Sequence, residues 1–480
     1  MQSKQNVLPN VRRETWQGKP ITTVGQSDER PGAFTYANSV FLLIGLFLGL
    51  VLLKFGNPVI FEGRFPPPGN FTEALHFSWP ASWGWLASAV LFLLAMPLAR
   101  WKRGAPRWLL ISVAAWLAWQ WVASFNSIDP QLSRQTVIHF SVAVGWFAMG
   151  LLATRQFADL MPVWLGLAIG VCLVISTGFD QQFGGLEETR VFYEKLARGE
   201  HVPEIQRQFE SPELRRVWES PLFQFKVTSR RIYSTLFYPN TLAGVLLMLT
   251  PPLLGALWIR LRTISPLGQK ILPALIGLGA ALCLVWSGSK AGWLIALIQS
   301  GILFLGTSIP LRWRRTIALS ILTVGLAVLV ARNLDYFQRG ARSVSARTNY
   351  WAAAVRVFLD NPVTGTGPGT FGKAYRGRKS ADSEMAWLAH NDYIQQASDS
   401  GLIGALGYLA FVGGSLYWLW RLLHSATMTL PFLTWLGLLA WAIQSLSEFG
   451  LYVPAIAWPA FFLVGSLVSN AAIEIDKAPS

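Results

Sequence analysis

Residues 387–404 read WLAHNDYIQQASDSGLIG. His390, Asn391, Asp392, Gln395 and Gln396 crowd together at the entrance of an apolar segment about twenty residues long, the length of a membrane crossing. His390 is the natural candidate for a general base. Imidazole titrates near neutral pH, so a neutral ring can accept a proton from a sugar hydroxyl. Asn391 or Asp392 would orient the ring or the acceptor. A lone histidine at an interface is often structural, but packing alone does not demand this run of polar residues.

Four cationic positions accompany it. Arg230 and Arg231 precede IYSTLFYPNTLAG, where the chain returns to apolar sequence. Lys290 lies in SGSKAG, a tight turn between two apolar stretches, and Arg347 sits early in the helical pattern SARTNYWAAAVRVFLD. Several cations at one depth suit a lipid-linked phosphate or pyrophosphate, because guanidinium offers a planar fork to such oxygens and the contact strengthens away from bulk water. Each one taken singly also reads as a headgroup anchor.

The elements that must position these residues are membrane helices. The chain has 480 residues, 52% hydrophobic and 14% charged, with mean hydropathy +0.39. Soluble domains carry roughly 25% charged residues. The pattern predicts an all-α, polytopic membrane protein with twelve spans, at about 38–55, 82–99, 108–125, 136–153, 161–178, 239–258, 271–288, 291–309, 316–332, 402–420, 430–448 and 455–470. The 23 tryptophans fit membrane interfaces. Placing the N-terminus in the cytoplasm puts 18 of the 40 basic residues in cytoplasmic segments and only Lys54, Arg64, Arg134 and Lys290 in short outer ones. Both tails, 1–37 and 471–480, are then cytoplasmic. Spans 38–178, 239–332 and 402–470 are separated by two long outer loops, 179–238 and 333–401. The first 37 residues lack the apolar core of a cleavable signal peptide, so the first span is expected to act as an uncleaved anchor.

The net charge of +15 is then largely topological, from cytoplasmic anchors facing anionic lipid, and does not indicate nucleic acid. In the first outer loop PEIQRQFES (203–211) is followed at once by PELRRVWES (212–220), a nine-residue tandem repeat. It reads either as two short helices on the outer leaflet or as a spacer. In the second loop Asn361-Pro362 ends the helical pattern, and GTGPG (365–369) makes a turn that lacks the Lys-Ser/Thr of a nucleotide-binding loop. That turn is either plain packing or a place where a substrate nears the backbone.

Several chemistries fall away. The inner loops are too short to form a nucleotide-binding domain. Cys172 and Cys283 both lie inside spans and support neither a disulfide framework nor a zinc site. No His/Cys/Asp/Glu cluster has metal-ligand spacing, so neither metal nor cofactor is expected. Acidic residues are nearly absent from the spans apart from Glu448 at an outer end, which counts against an ion-coupled transporter or flippase, the alternative from another class.

RTNYWAAAVRVFLDNPVTGTGPGTF followed by AHNDYIQQASDSGLIGALGYLAF resembles the O-antigen ligase and polymerase superfamily of bacterial envelopes. Arg347, Trp351, Asn361-Pro362, Gly365/Gly367/Gly369 and His390 through Ile394 carry the likeness, with Ile394 where the family has Leu. SRRIYSTLFYPNTLAGVLLM and WSGSKAGWL resemble the family's Arg…Asn-x-x-Ala entry into a span and its Ser-x-Ser-Arg/Lys turn. The likeness is densest over about 225–410. It implies an architecture like the GT-C-type lipid-sugar glycosyltransferases, in the bacterial inner membrane, with the site on the periplasmic face and short helices in the periplasmic loops. It implies a donor glycan on undecaprenyl pyrophosphate, an acceptor that is a glycan or lipid A core, and inverting transfer. His390 would take the acceptor proton, Asn391 and Asp392 would orient it, and Arg230, Arg231, Arg347 and Lys290 would stabilise the departing pyrophosphate. Ligase, polymerase and protein-glycosylating enzymes share this core, and the sequence leaves open which acceptor is used.

Overall fold

The computed structural model describes residues 35–64, 67–101, 104–154, 157–198, 229–236, 238–306, 310–332, 334, 342–379, 383–424 and 428–477. The tandem repeat at 203–220 and all but the last three residues of the N-terminal tail lie outside them.

All regular structure among the described residues is helical. The helices of membrane-crossing character are α1 (Tyr36–Lys54), α3 (Ala81–Ala95), α4 (Arg107–Phe125), α5 (Pro130–Ala153), α6 (Met161–Asp180), α8 (Pro239–Leu261), α9 (Pro266–Ser287), α10 (Lys290–Leu305), α11 (Leu311–Arg332), α14 (Asp392–Leu423), α15 (Leu430–Gln444) and α16 (Pro454–Lys477). Ten of the twelve regions are long and apolar enough to cross a bilayer, and α10 and α15 are shorter apolar helices. Each of the twelve expected spans overlaps one of these helices. The connections add α2 (Phe71–His76), α7 (Leu186–Ala197), α12 (Arg342–Asp360) and α13 (Phe371–Arg376).

The bundle is built around α16. In its most apolar stretch 89% of the residues are buried by protein, whereas α11 has 6% and presents its surface outward. A helix that is apolar all round belongs in the centre of a membrane bundle. The backbone of α5 packs directly on α16: a Cβ at Gly150 would sit 2.2 Å from the Phe462 carbonyl oxygen, and one at Gly465 2.1 Å from that of Phe147. Gly45 and Gly49 on α1 meet Gly166 and Gly170 on α6 in the same way, with ideal Cβ positions 2.2–2.7 Å from opposing backbone. Small residues four apart let membrane helices approach this closely.

Two elements differ from expectation. The span placed at 402–420 belongs to a 32-residue helix that begins at Asp392, so the polar run from Asp392 onward forms helical turns rather than the end of a loop. Gly401 (φ 68°) kinks α14 where the polar part meets the apolar part. Likewise α6 does not stop at 178. It runs through an irregular, wider turn at Gln181–Gly185 into α7. Local polarity marks a change of environment, and here the helices continue across that change.

Candidate active site

The turns at one end of the bundle converge on a carboxylate. Glu448, between α15 and α16, is 5% exposed. Its Oε1 accepts from Arg347 Nη2 at 2.5 Å and from Asn240 Nδ2 at 2.6 Å. Its Oε2 lies 3.3 Å from His390 Nδ1. Burial alone would push the carboxyl pKa up. The Arg347 charge and the contact with His390 outweigh that and hold it at about 2. At neutral pH Glu448 is therefore an anion and can only accept. The His390 nitrogen facing it must carry a proton, which leaves the lone pair of a neutral ring on Nε2.

His390 is held on three sides. Phe449 meets its ring edge-on at 4.7 Å, Tyr350 lies nearly parallel at 6.0 Å, and Glu448 fixes Nδ1. Its backbone is left-handed (φ 52°), a conformation that costs a non-glycine residue about 1–2 kcal/mol. Hydrogen bonds on both sides maintain it. The Ala389 N–H donates to Gln395 Oε1 at 2.8 Å, and Gln395 Nε2 donates to Asp399 Oδ2. The same Asp399 oxygen accepts from Tyr452 Oη and from the Gly369 N–H, both at 2.9 Å. One buried side chain thus ties the histidine turn to the glycine turn and to the loop after Glu448.

Asn391 and Asp392 lie beside His390 in sequence, but their side chains point into the protein. Asn391 caps α14 by accepting from the Ile394 N–H and donates to the Leu446 carbonyl at 2.9 Å. The Asp392 N–H donates to the Ser445 carbonyl, and its carboxyl accepts from the Leu451 N–H. Together they clip the 445–451 segment onto the histidine turn. What they orient is Glu448, through its loop.

The cations divide. Arg231 turns inward, where its Nε donates to the Ser287 carbonyl at 2.7 Å and its Nη2 to Asn240 Oδ1 at 2.9 Å. Burial lowers its pKa; the Glu448 charge opposes this and the Arg347 charge adds to it. The guanidinium remains charged in any case. Arg347 also donates through Nε to the Ser447 carbonyl. Lys290 is near enough to Arg231 and Arg347 for their charges to act on it. Arg230, next in the chain to Arg231, is exposed and outside this group. Arg231 and Arg347 therefore share the field of the Glu448 carboxylate.

The glycine turn has a packing role. Gly365, Gly367 and Gly369 all have positive φ, and residues 365–370 are buried. An added Cβ at Gly365 would stand 2.3 Å from the Asp399 backbone, and one at Gly367 2.1 Å from Ser127 Oγ. Protein already fills the space beside each of these α-carbons.

Glu448 and Asn240 carry the connections of this site, yet sequence reasoning gave them no role. Glu448 did have a signal, as an acid isolated at the end of an apolar span. Asn240 had none beyond its place in the Arg…Asn-x-x-Ala pattern.

Residues 275–409 match the family model described as O-antigen ligase. The matched stretch contains Lys290, Arg347, the glycine turn and His390 through Asp392, and over it the resemblance to the O-antigen ligase and polymerase family stands. Arg231, Asn240 and Glu448 lie outside the match. No curated protein matches the chain significantly.

Proposed function

We propose that this multi-pass membrane protein, with its O-antigen ligase segment, is an inverting glycosyltransferase that moves a glycan from a lipid pyrophosphate to an acceptor hydroxyl. The observation that carries the reading is Glu448, a buried anion that grips a histidine with one oxygen and an arginine with the other. His390 Nε2 takes the proton of the acceptor hydroxyl. The freed oxygen attacks the anomeric carbon, the bond from that carbon to the phosphate oxygen breaks, and the pyrophosphate departs with the electron pair. Glu448 stabilises the imidazolium that forms, and it keeps the ring in the tautomer that can act as a base. Arg231, Lys290 and Arg347 stabilise charge developing on the leaving group. Cationic side chains thus do the work that a metal does in other transferases. Arg230, on the exposed side, is assigned at most an outer contact with the donor.

Undecaprenyl pyrophosphate is the proposed donor carrier, and lipid A core is the proposed acceptor, which makes the protein a ligase of the bacterial inner membrane with this site on its periplasmic face. Polymerisation of repeat units by the same chemistry is the second reading, supported by the same family segment.

The test uses a strain lacking the protein, complemented with wild type, His390→Ala or His390→Asn at matched membrane levels. Surface glycan and lipid-linked precursor are followed together. Loss of surface glycan with accumulation of lipid-pyrophosphate glycan is expected in both variants. Long chains stalled on lipid indicate a ligase, and single units a polymerase. Full activity in both variants removes His390 as the base and favours a transporter.

A further inference from the structure

A second group of cations gathers at the same end of the bundle, around Trp387. Arg64 follows the short helical turn Val59–Phe61, and its guanidinium carbon lies 4.2 Å from the centre of the Trp387 ring and 5.5 Å from that of Phe61. Arg376, the last residue of α13, lies 5.6 Å from the same indole. Lys373, on the same helix, reaches Asp129 at 2.6 Å. Arg64 and Arg376 are close enough for their charges to oppose each other, with Asp129 as the attractive charge nearby.

The group differs from the Glu448 cluster in one respect. Among the described residues neither Arg64 nor Arg376 has a carboxylate at ion-pair distance, and Asp129 is engaged by Lys373. All three basic residues are exposed, whereas Trp387 is half-buried. Cation–π contact fixes where the guanidinium planes stand but fills none of their N–H donors. Two preorganised forks with like charge are stabilised by an oxyanion between them.

Position identifies what carries the oxyanion. The apolar side of α13, Phe371 and Tyr375, stacks toward Tyr350, and Tyr350 lies against His390. The patch is thus linked to the base through α13 and Tyr350, whereas Arg347 is linked to it through Glu448 on another side of the ring. A substrate part that passes His390 and continues away from the leaving-group cations is the acceptor.

We propose that Arg64, Arg376 and Lys373, arranged on Trp387, form a subsite for an anionic substituent of the acceptor glycan, a phosphate or a carboxylate. The inference rests on the transferase reading. It is tested by binding without turnover, so the two stand or fall separately.

Full-length protein in phosphatidylcholine nanodiscs is titrated with an oligosaccharide carrying one phosphate monoester, and with the same oligosaccharide after phosphatase treatment. Wild type is expected to bind the phosphorylated form at least about tenfold more tightly, the scale of a bidentate charged contact. Arg64→Gln with Arg376→Gln removes that preference and leaves affinity for the dephosphorylated form unchanged. The single substitution Arg376→Gln, at an exposed position, reduces it in part and serves if the double variant does not fold. No preference in wild type, or an undiminished preference in the variants, overturns the proposal. Nanodiscs containing phosphatidylglycerol separate the other source of the same chemistry. If that lipid abolishes the wild-type preference and is itself retained less by the variants, the patch is a headgroup site and the acceptor assignment is wrong.

Discussion

Glu448 stands between Arg347 and His390, 2.5 Å from the guanidinium through one oxygen and 3.3 Å from the imidazole through the other. A residue of the turn after α15 thus fixes which ring nitrogen of a residue 58 positions earlier faces a carboxylate. Glu448→Gln keeps the shape and removes the charge. Transfer activity is expected to fall by about 10²–10⁴, the usual worth of a positioned base, while the protein still accumulates in the membrane. The check is turnover of purified protein, with His390→Asn as the reference; an effect under about threefold would detach Glu448 from catalysis.

Acid should weaken the same contact in a defined direction. The Glu448 carboxyl is at about 2 in the folded chain against an ordinary value of 4.5. A depressed pKa contributes stability that is full above the unfolded value and is lost as pH falls from about 4.5 toward 2. A shift of this size corresponds to roughly 3 kcal/mol. Thermal unfolding followed from pH 7 down to pH 3 should show a steeper loss for wild type than for Glu448→Gln. Parallel curves would mean that the ion pair contributes nothing over this range.

Asn391 supplies two separable bonds. Asn391→Ala loses both the cap and the tie to the Leu446 carbonyl, and about 1 kcal/mol of stability should go with the cap. Asn391→Asp keeps a capping oxygen but has no N–H₂ for Leu446. Stability should recover in the aspartate variant while turnover stays low, because the Glu448 loop is no longer clipped to the histidine turn. Melting temperature and kcat measured on both variants decide this.

Adjacent arginines should behave unequally. Arg231→Ala removes bonds to Ser287 and Asn240 and takes charge from the Glu448 cluster, so a loss of tenfold or more in turnover is expected. Arg230→Ala, on the exposed side, should change turnover less than about threefold. Equal effects from the two would contradict the division.

Gly367→Ala tests whether the glycine turn is packing. Its φ is 110°, and the new Cβ would meet Ser127 Oγ at 2.1 Å. Destabilisation of about 2–3 kcal/mol is expected, from strain and overpacking together. The variant should melt lower, while activity per folded molecule changes little. A stable but inactive protein would instead point to substrate contact at the turn.

The apolar helices at the twelve expected positions were legible because a bilayer imposes length and hydropathy on each segment separately. The helix at Arg342–Asp360 was legible for a similar reason, with Trp351, Val355 and Phe358 at helical spacing and Asn361-Pro362 as its stop. His390, Arg347, Arg231 and Lys290 stood out by type, since each is polar at the edge of apolar sequence. Their mutual arrangement was not legible. Arg231, His390 and Glu448 come from three connections, Lys290 from the first turn of α10 and Arg347 from α12, and no periodicity within one segment records how they are brought together. Asn391 and Asp392 show the converse. Being next to a reactive residue in the chain suggested that they face the substrate, but at the start of a helix successive side chains point in different directions, and theirs point inward.

The glycine seams between α1 and α6, and between α5 and α16, have a consequence for how a long polyprenyl tail is housed. Backbones already in contact leave no slot wide enough for a hydrocarbon chain, so neither seam can serve as a lateral doorway. The tail of the proposed polyprenyl donor must therefore reach the bilayer by a route other than these two seams. Exchange of spent carrier for a fresh one would then leave these two helix pairs closed.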